Sequence, residues 1–321
     1  MGTSQDIAVA DFVRCVAQRL ETRDAACLPL GHTVEELADL FVQGGVEALD
    51  AAANAHRWVQ RSIQVNQPAM QPLMSAISEL ANALLQEGVA KNFFFMRKPP
   101  GLRLRFQAAT ERAVLEQRLT QEVSAWQSRG LVCAHKPAVY EPEYQLFGGV
   151  QSMDHVHALF TIDSLFWSTF LGRSDGETGN TDAWSRSLRL LRSVFDGLAI
   201  LGWEDLGVWD AVLEDTGRRL ALDLECTEGY RDLAALVREV WTESAQSLGT
   251  VDALQRACAD LARQQGARWR TGYFECAGAR IGPRQGAAYF TIFHWNRAGF
   301  SSIQQGLVAE ALATRRERAD G

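Results

Sequence analysis

The sequence predicts an α+β protein: a mixed sheet with flanking helices and a helix-rich second half. Three observations lead there. WVQRSIQV (58–65) and FFFMRKPPGLRLRF (93–106) alternate apolar and polar residues with the period of two that a half-buried strand requires. Between and after such stretches, apolar residues recur every three or four positions, the spacing of a helix packed along one side. Beyond residue 181 the helical spacing dominates.

Taken in order, residues 6–55 carry helical patterning around Gly44-Gly45 and read as a helical N-terminal lead-in, 1–56, to a main domain, 57–321. A strand over 58–66 follows. Pro72 then opens a helix whose Leu73, Ile77, Leu80 and Leu84 share one side before Gly88. FFFMRK and LRLRF flank Pro99-Pro100-Gly101 as the two arms of a hairpin. Leu115, Leu119, Val123 and Trp126 then mark a helix ending before Gly130, completing a βαββα pattern. A short strand over 131–134 leads to the carboxylate-rich turn Tyr140-Glu141-Pro142-Glu143, to Phe147-Gly148-Gly149 and to a long helix over 152–171. The polar, glycine-rich segment 172–181 reads as a loop. Helices over 184–201, 204–222, 230–246 and 251–265 precede a dense apolar run, 287–295, whose residue types suit helix or strand alike. A terminal amphipathic helix carries Ile303, Leu307, Val308, Ala311 and Leu312.

Composition narrows the function. With 47% hydrophobic residues in 321, the chain can bury a substantial core. Its 32 basic and 39 acidic residues give a net charge of −7, which disfavours a nucleic acid or an anionic membrane as direct partner. There is no apolar run of membrane-spanning length and no signal-type N-terminus, so a cytoplasmic location is expected. The six cysteines include no CxxC pair and read as reduced, mostly buried thiols. No GxGxxG or Walker loop is present, so no cofactor is expected. Asp154-His155-Val156-His157 gathers two imidazoles and a carboxylate, yet helical residues two apart face different directions, so no metal site is expected either.

Chemistry concentrates in a few polar residues of apolar segments. Alternation along LRLRF turns Arg103 and Arg105 to one face and Leu102, Leu104 and Phe106 to the other. Two guanidiniums on one surface suit a carboxylate or an enolate-like oxyanion, and Arg97 would approach them across the hairpin. Residue types alone favour a solvated strand face, since single-sided charge alternation is common in antiparallel sheets. Glu141 and Glu143 would lie on one side of an extended segment, as ion-pair partners of these arginines or as acid/base groups. His294, in the aromatic run YFTIFHWNR, would share a helical face with Arg297, as a titrating group or as a hydrogen-bonded core histidine.

WVQRSIQV, FFFMRKPPGLRLRF, YEPEYQLFGG followed by SMDHVHALFTIDS, and FHWNR occur in an order that resembles the C-terminal small domain of lantibiotic dehydratases. That domain also stands alone in the thiopeptide-type bacteriocin biosynthesis family, and the resemblance covers roughly residues 57–316. It implies maturation of a ribosomally made precursor peptide, leader and core. A separate glutamyl-tRNA-dependent partner would glutamylate Ser or Thr, and this chain would then eliminate glutamate as a lyase. In the place of the family motif, Arg103 and Arg105 bind glutamate and stabilise charge, and His294 stands as general acid/base. Arg97, Arg297 and Glu143 support substrate binding, while Asn296 is structural. Leu146 occupies a place where elimination domains commonly carry arginine. That departure keeps two alternatives open: the pyridine-forming [4+2] cycloaddition catalysed by some relatives, and a non-catalytic peptide-binding subunit.

Overall fold

A computed structural model describes residues 13–14, 16–18, 33–173, 179–219, 228–244 and 252–313. The chain divides into two compact units, 1–48 and 49–321. The helix α1, Val34–His56, begins in the first. Thr33 accepts a hydrogen bond from the Glu36 amide while Glu36 Oε2 accepts from the Thr33 amide, a reciprocal cap at its start.

The second unit is built on a four-stranded antiparallel sheet ordered β2-β3-β1-β4, from β1 (Trp58–Val65), β2 (Ala90–Lys98), β3 (Gly101–Ala108) and β4 (Val132–Ala138). The helices α2 (Met70–Gln86) and α3 (Arg112–Ser128) follow β1 and β3, as the βαββα pattern predicts. Register separates the two faces of the sheet. On one, Val59, Ile63, Leu102, Leu104, Phe106, Phe93 and Phe95 join Leu73, Ile77, Leu115 and Leu119 in an apolar core. The other carries Trp58, Gln60, Ser62, Arg103, Arg105, Phe94 and Met96.

A one-turn helix, α4 (Tyr144–Phe147), leads into α5 (Val150–Arg173), the central helix. Buried residues occur all round α5, as expected of a helix enclosed by protein. It runs along the free edge of β2: Thr161 and Ser164 hydroxyls accept the Phe93 and Phe95 amides at 3.0 and 3.3 Å. Buried amides that no strand satisfies thereby find partners, and the edge is closed. The helices α6 (Gly179–Gly197), α7 (Asp205–Thr216), α8 (Glu228–Ser244), α9 (Ala253–Trp269), α10 (Pro283–Ala298) and α11 (Ser302–Ala313) build the second half. A Cβ on Gly197 would stand 2.2 Å from the Arg263 carbonyl, so only glycine lets α6 approach α9 this closely. Among the described residues, no helix is long and apolar enough to cross a membrane.

Several sequence expectations are refined. The fourth strand is longer than 131–134, because Lys136 to Ala138 pair with Ser62 to Gln60 at the sheet edge, where Pro137 is tolerated. The loop expected over 172–181 is narrower: helix continues to Arg173 and resumes at Gly179, and residues 174–178 lie outside the described part. The ambiguous run 287–295 is helix, opened by Pro283 in its first turn. Of the three described cysteines only Cys258 is buried, whereas Cys133 and Cys276 are exposed, which corrects the expectation of mostly buried thiols.

Candidate functional site

Two polar clusters flank the hairpin and α5, and they differ in access. The first lies on the sheet face that carries the paired arginines. Arg105 stands opposite Gln60 and Phe94 in the ladder, and its Nε donates to Gln60 Oε1 at 2.6 Å. Its guanidinium lies 5.0 Å from the Phe94 ring centre and 4.4 Å from that of Tyr140. The terminal nitrogens of Arg105 make no hydrogen bond to any described residue, and the side chain retains 7% exposure. Burial lowers its pKa, opposed by Tyr140 and Glu143 and reinforced by Arg103 and Arg297. A buried cation with unused donors is built to receive an anion.

Around it stand titratable groups with shifted equilibria. Tyr140 shares a 2.9 Å hydrogen bond with His157 Nε2, and burial, then Glu143, raises its pKa well above the usual value. His157 is neutral: burial, then Arg105 and Lys91, pushes it down to about 3. Glu143, at the start of α4, has its carboxyl pKa raised by burial against the opposing pull of Arg105. Trp58 and Phe94 pack around Tyr140 and His157, so this end of the sheet face is roofed by aromatic rings.

Arg103 lies two residues along the same strand, opposite Ser62 and Met96, half-buried and without a hydrogen bond or ion pair to any described residue. It lines a cleft of about 410 Å³ at the hairpin end of the sheet, with Ser62, Lys98 and Lys136. Arg97 departs from expectation. The hairpin forms, but Arg97 pairs with Leu102 in the ladder and therefore occupies the face opposite Arg103 and Arg105. Its Nε donates to the Arg297 carbonyl at 3.2 Å beside Gly299, and burial lowers its pKa. Glu141 is exposed, and neither it nor Glu143 forms an ion pair with these arginines among the described residues.

The second cluster is sealed. His294 and Arg297 share one side of α10 and meet the same carboxylate of α5. Asp163 Oδ1 lies 2.7 Å from His294 Nδ1, and its Oδ2 accepts from Arg297 Nε at 2.5 Å. Ser187 Oγ sits 2.8 Å from His294 Nε2, and Trp167 Nε1 approaches Nδ1 at 3.4 Å. His294 and Arg297 have no exposed surface. Burial would raise the Asp163 carboxyl, but His294 and Arg297 together hold it below its ordinary value. Burial lowers Arg297, opposed by Asp163, and its guanidinium rests 4.2 Å from the Phe160 ring centre. With both ring nitrogens of His294 engaged, a substrate would reach the imidazole only by displacing a partner. Asn296 accepts from Gln305 Nε2 at 3.1 Å, a bond between α10 and α11.

The first glycine of LFGG has a packing reason. Gly148 has φ +84°, and a Cβ there would stand 2.0 Å from the Tyr273 hydroxyl, which donates to the Gly148 carbonyl at 2.9 Å. Tyr273 belongs to a π-helical turn, Arg270–Phe274, whose Gly272 fits against the His155 ring. His155 and His157 thus diverge from one another, His157 toward Tyr140 and His155 toward Gln265 and Gly272. Among the described residues, no group of histidine, cysteine and carboxylates could hold a metal ion.

The motif order has a match at family level. Residues 58–315 match the family described as lantibiotic biosynthesis dehydratase, C-terminal. The chain belongs to this family. Membership agrees with the resemblance read from the motifs. Two solved structures share the fold. The tRNA-dependent lantibiotic dehydratase MibB from Microbispora sp. 107891 is 18% identical, with a TM-score of 0.54 over 80% of this chain. The pyridine synthase TbtD, from thiomuracin biosynthesis, is 16% identical, with a TM-score of 0.54 over 80% of this chain and 96% of its own. The match covers 27% of the MibB chain, so this protein corresponds to about a quarter of that dehydratase. No curated protein matches at the level of sequence.

Sequence reasoning missed Asp163, Tyr140, His157, Gln60 and Ser187. Asp163 carried the one usable signal: a lone carboxylate in the apolar stretch ALFTIDSLFW must be paired if buried.

Proposed function

We propose that this chain expels glutamate from glutamylated Ser or Thr residues of a precursor peptide, leaving dehydroalanine or dehydrobutyrine. The observation that carries the reading is the arginine face. Arg105 is buried with its terminal donors unused, and Arg103 beside it lacks any described partner. In the elimination a base removes the Cα proton, charge builds on the peptide carbonyl, the Cβ–O bond breaks and glutamate departs as a carboxylate. Both the developing oxyanion and the leaving group call for fixed cationic donors.

We assign removal of the Cα proton to Glu143. Its carboxyl is raised by burial, which brings its proton affinity toward the working pH, and it lies within the electrostatic reach of Arg105. Tyr140 and the neutral His157 hold the aromatic wall of the site. His294 is assigned a positioning role, because it fixes Asp163 and through it Arg297. The glutamyl group would come from a separate glutamyl-tRNA-dependent protein acting on the same peptide.

Pyridine formation is the second reading, and Leu146 favours it. That side chain packs, half-buried, against the apolar cluster where the resemblance places an arginine in elimination domains. One assay separates the two. The protein is offered a pre-glutamylated peptide and, separately, a peptide bearing two dehydroalanines, and products are followed by mass. Loss of glutamic acid from the first supports elimination. Release of the leader from the second, with the first unchanged, supports pyridine formation.

A further inference from the structure

Beyond Arg105 the same sheet face continues past Arg103 into a cleft whose other lining residues the elimination chemistry does not use. Its floor is one cross-strand row, Lys136 of β4, Ser62 of β1 and Arg103 of β3, in direct register. In the next row Lys98 of β2 stands opposite Gly101, and Gln64 of β1 opposite Gly101 and Ala134. Alternation places Lys98, Arg103 and Lys136 on one face. Strand spacing of about 4.8 Å separates Arg103 from Lys136 by about 10 Å, and two residues along a strand separate Arg103 from Arg105 by about 7 Å. The cleft holds about 410 Å³, enough for a few peptide residues and far more than one carboxylate.

Its charge is uncompensated. Lys98, Arg103 and Lys136 form no ion pair or hydrogen bond with any described residue. Glu143 is the carboxylate whose equilibrium Lys98 influences, and it lies toward the Arg105 end of the face. Three like charges held on one concave surface repel one another unless an anion joins them.

We propose that this cleft binds an acidic segment of the peptide substrate, aspartate or glutamate side chains lying beyond the residue that reacts at Arg105. The proposal rests on the reading of the chain as a peptide-modifying protein and adds a preference: peptides with carboxylates next to the modified position are selected. Lys98 and Lys136, exposed and outside the reacting centre, read those carboxylates, while Arg103 joins the cleft to the site.

Binding of a fluorescein-labelled ten-residue peptide with three Asp or Glu residues, and of its Asn/Gln counterpart, to the full chain and to a Lys98→Ala/Lys136→Ala variant tests this by anisotropy. The acidic peptide is expected to bind at least tenfold more tightly than the amide peptide at low salt, with the gap closing as salt rises. The double variant, checked for an unchanged thermal transition, is expected to lose that preference. Equal binding of the two peptides, or an unchanged preference in the variant, overturns the proposal. So does tighter binding of a short single-stranded RNA, which would make the cleft a phosphate-backbone site, or full displacement of the peptide by free glutamate at equal concentration, which would make it a leaving-group site. A second arm separates this outcome from that of the elimination reading. If elimination is correct, the double variant should release glutamate at the wild-type rate from a glutamylated peptide without other acids, and about tenfold more slowly from one bearing them at subsaturating concentration. If the wild-type protein releases no glutamate from either peptide while the binding preference persists, elimination fails and the acidic-peptide cleft stands.

Discussion

Arg297 and Arg105 both lie within the protein, yet they differ in access and in partner: each leaves a terminal nitrogen without a hydrogen bond, but Arg297 alone has a buried carboxylate. Arg297 is fully buried and its Nε is committed to Asp163, which also holds His294. Arg105 keeps its terminal donors unused and remains in slight contact with solvent. The sealed cluster joins α5 to α10, whereas the sheet face carries terminal donors of Arg105 that no described residue uses. Family motifs mark both regions alike, and what tells them apart is the carboxylate that Arg297 has and Arg105 lacks, together with the difference in exposure.

The largest expected effect is in the sealed region. Asp163→Ala leaves His294 and Arg297 without their shared acceptor and should destabilise the protein by about 3–5 kcal/mol in urea unfolding, since removing one partner strands a buried charge. A loss below about 1 kcal/mol would show that the cluster is not what joins α5 to α10.

The next tests the aromatic roof over Arg105 through pH. The folded His157 pKa is depressed to about 3 from an ordinary 6.5, so the unfolded chain takes up a proton that the folded one does not. Its contribution to stability is present in full above pH 6.5 and falls as pH drops toward 3, by up to about 1.4 kcal/mol per pH unit. Asp163, with a lowered carboxyl pKa, contributes above its ordinary pKa and is lost as pH falls through the lower folded value, so its loss belongs to the acid end of the range. His157→Gln should therefore flatten the stability profile between pH 4.5 and 6.5, measured by denaturant unfolding at each pH. A profile identical to wild type would mean that His157 is not sealed.

The smallest stability change sharpens the boundary between the two activities. Leu146→Arg removes a half-buried apolar contact and is expected to cost about 1 kcal/mol. It should raise glutamate release if the clamp is short of one guanidinium, and leave release unchanged if Leu146 only packs.

The sheet was legible because a period of two survives in WVQRSIQV and LRLRF, and the same alternation correctly put Arg103 and Arg105 on one face. Arg97 was misplaced because proximity across a hairpin does not fix the face; register does, and Arg97 opposes Leu102. The helical state of YFTIFHWNR was undecidable because a run buried on nearly every side loses its period, and α10 is buried at ten of its sixteen positions. The roles of Tyr140 and His157 were hidden for a different reason: they lie 17 residues apart, and what gives them meaning is Arg105, from another strand. Local pattern reports which side a residue faces, whereas the state of a buried cation depends on residues that only the fold brings together.

The central claim is that the open arginine face does the chemistry, and glutamate release by Arg105→Ala from a pre-glutamylated peptide under single-turnover conditions tests it most directly. The account predicts a rate about 10²- to 10³-fold below wild type, in a variant that still unfolds cooperatively. A wild-type rate from that folded variant would contradict it.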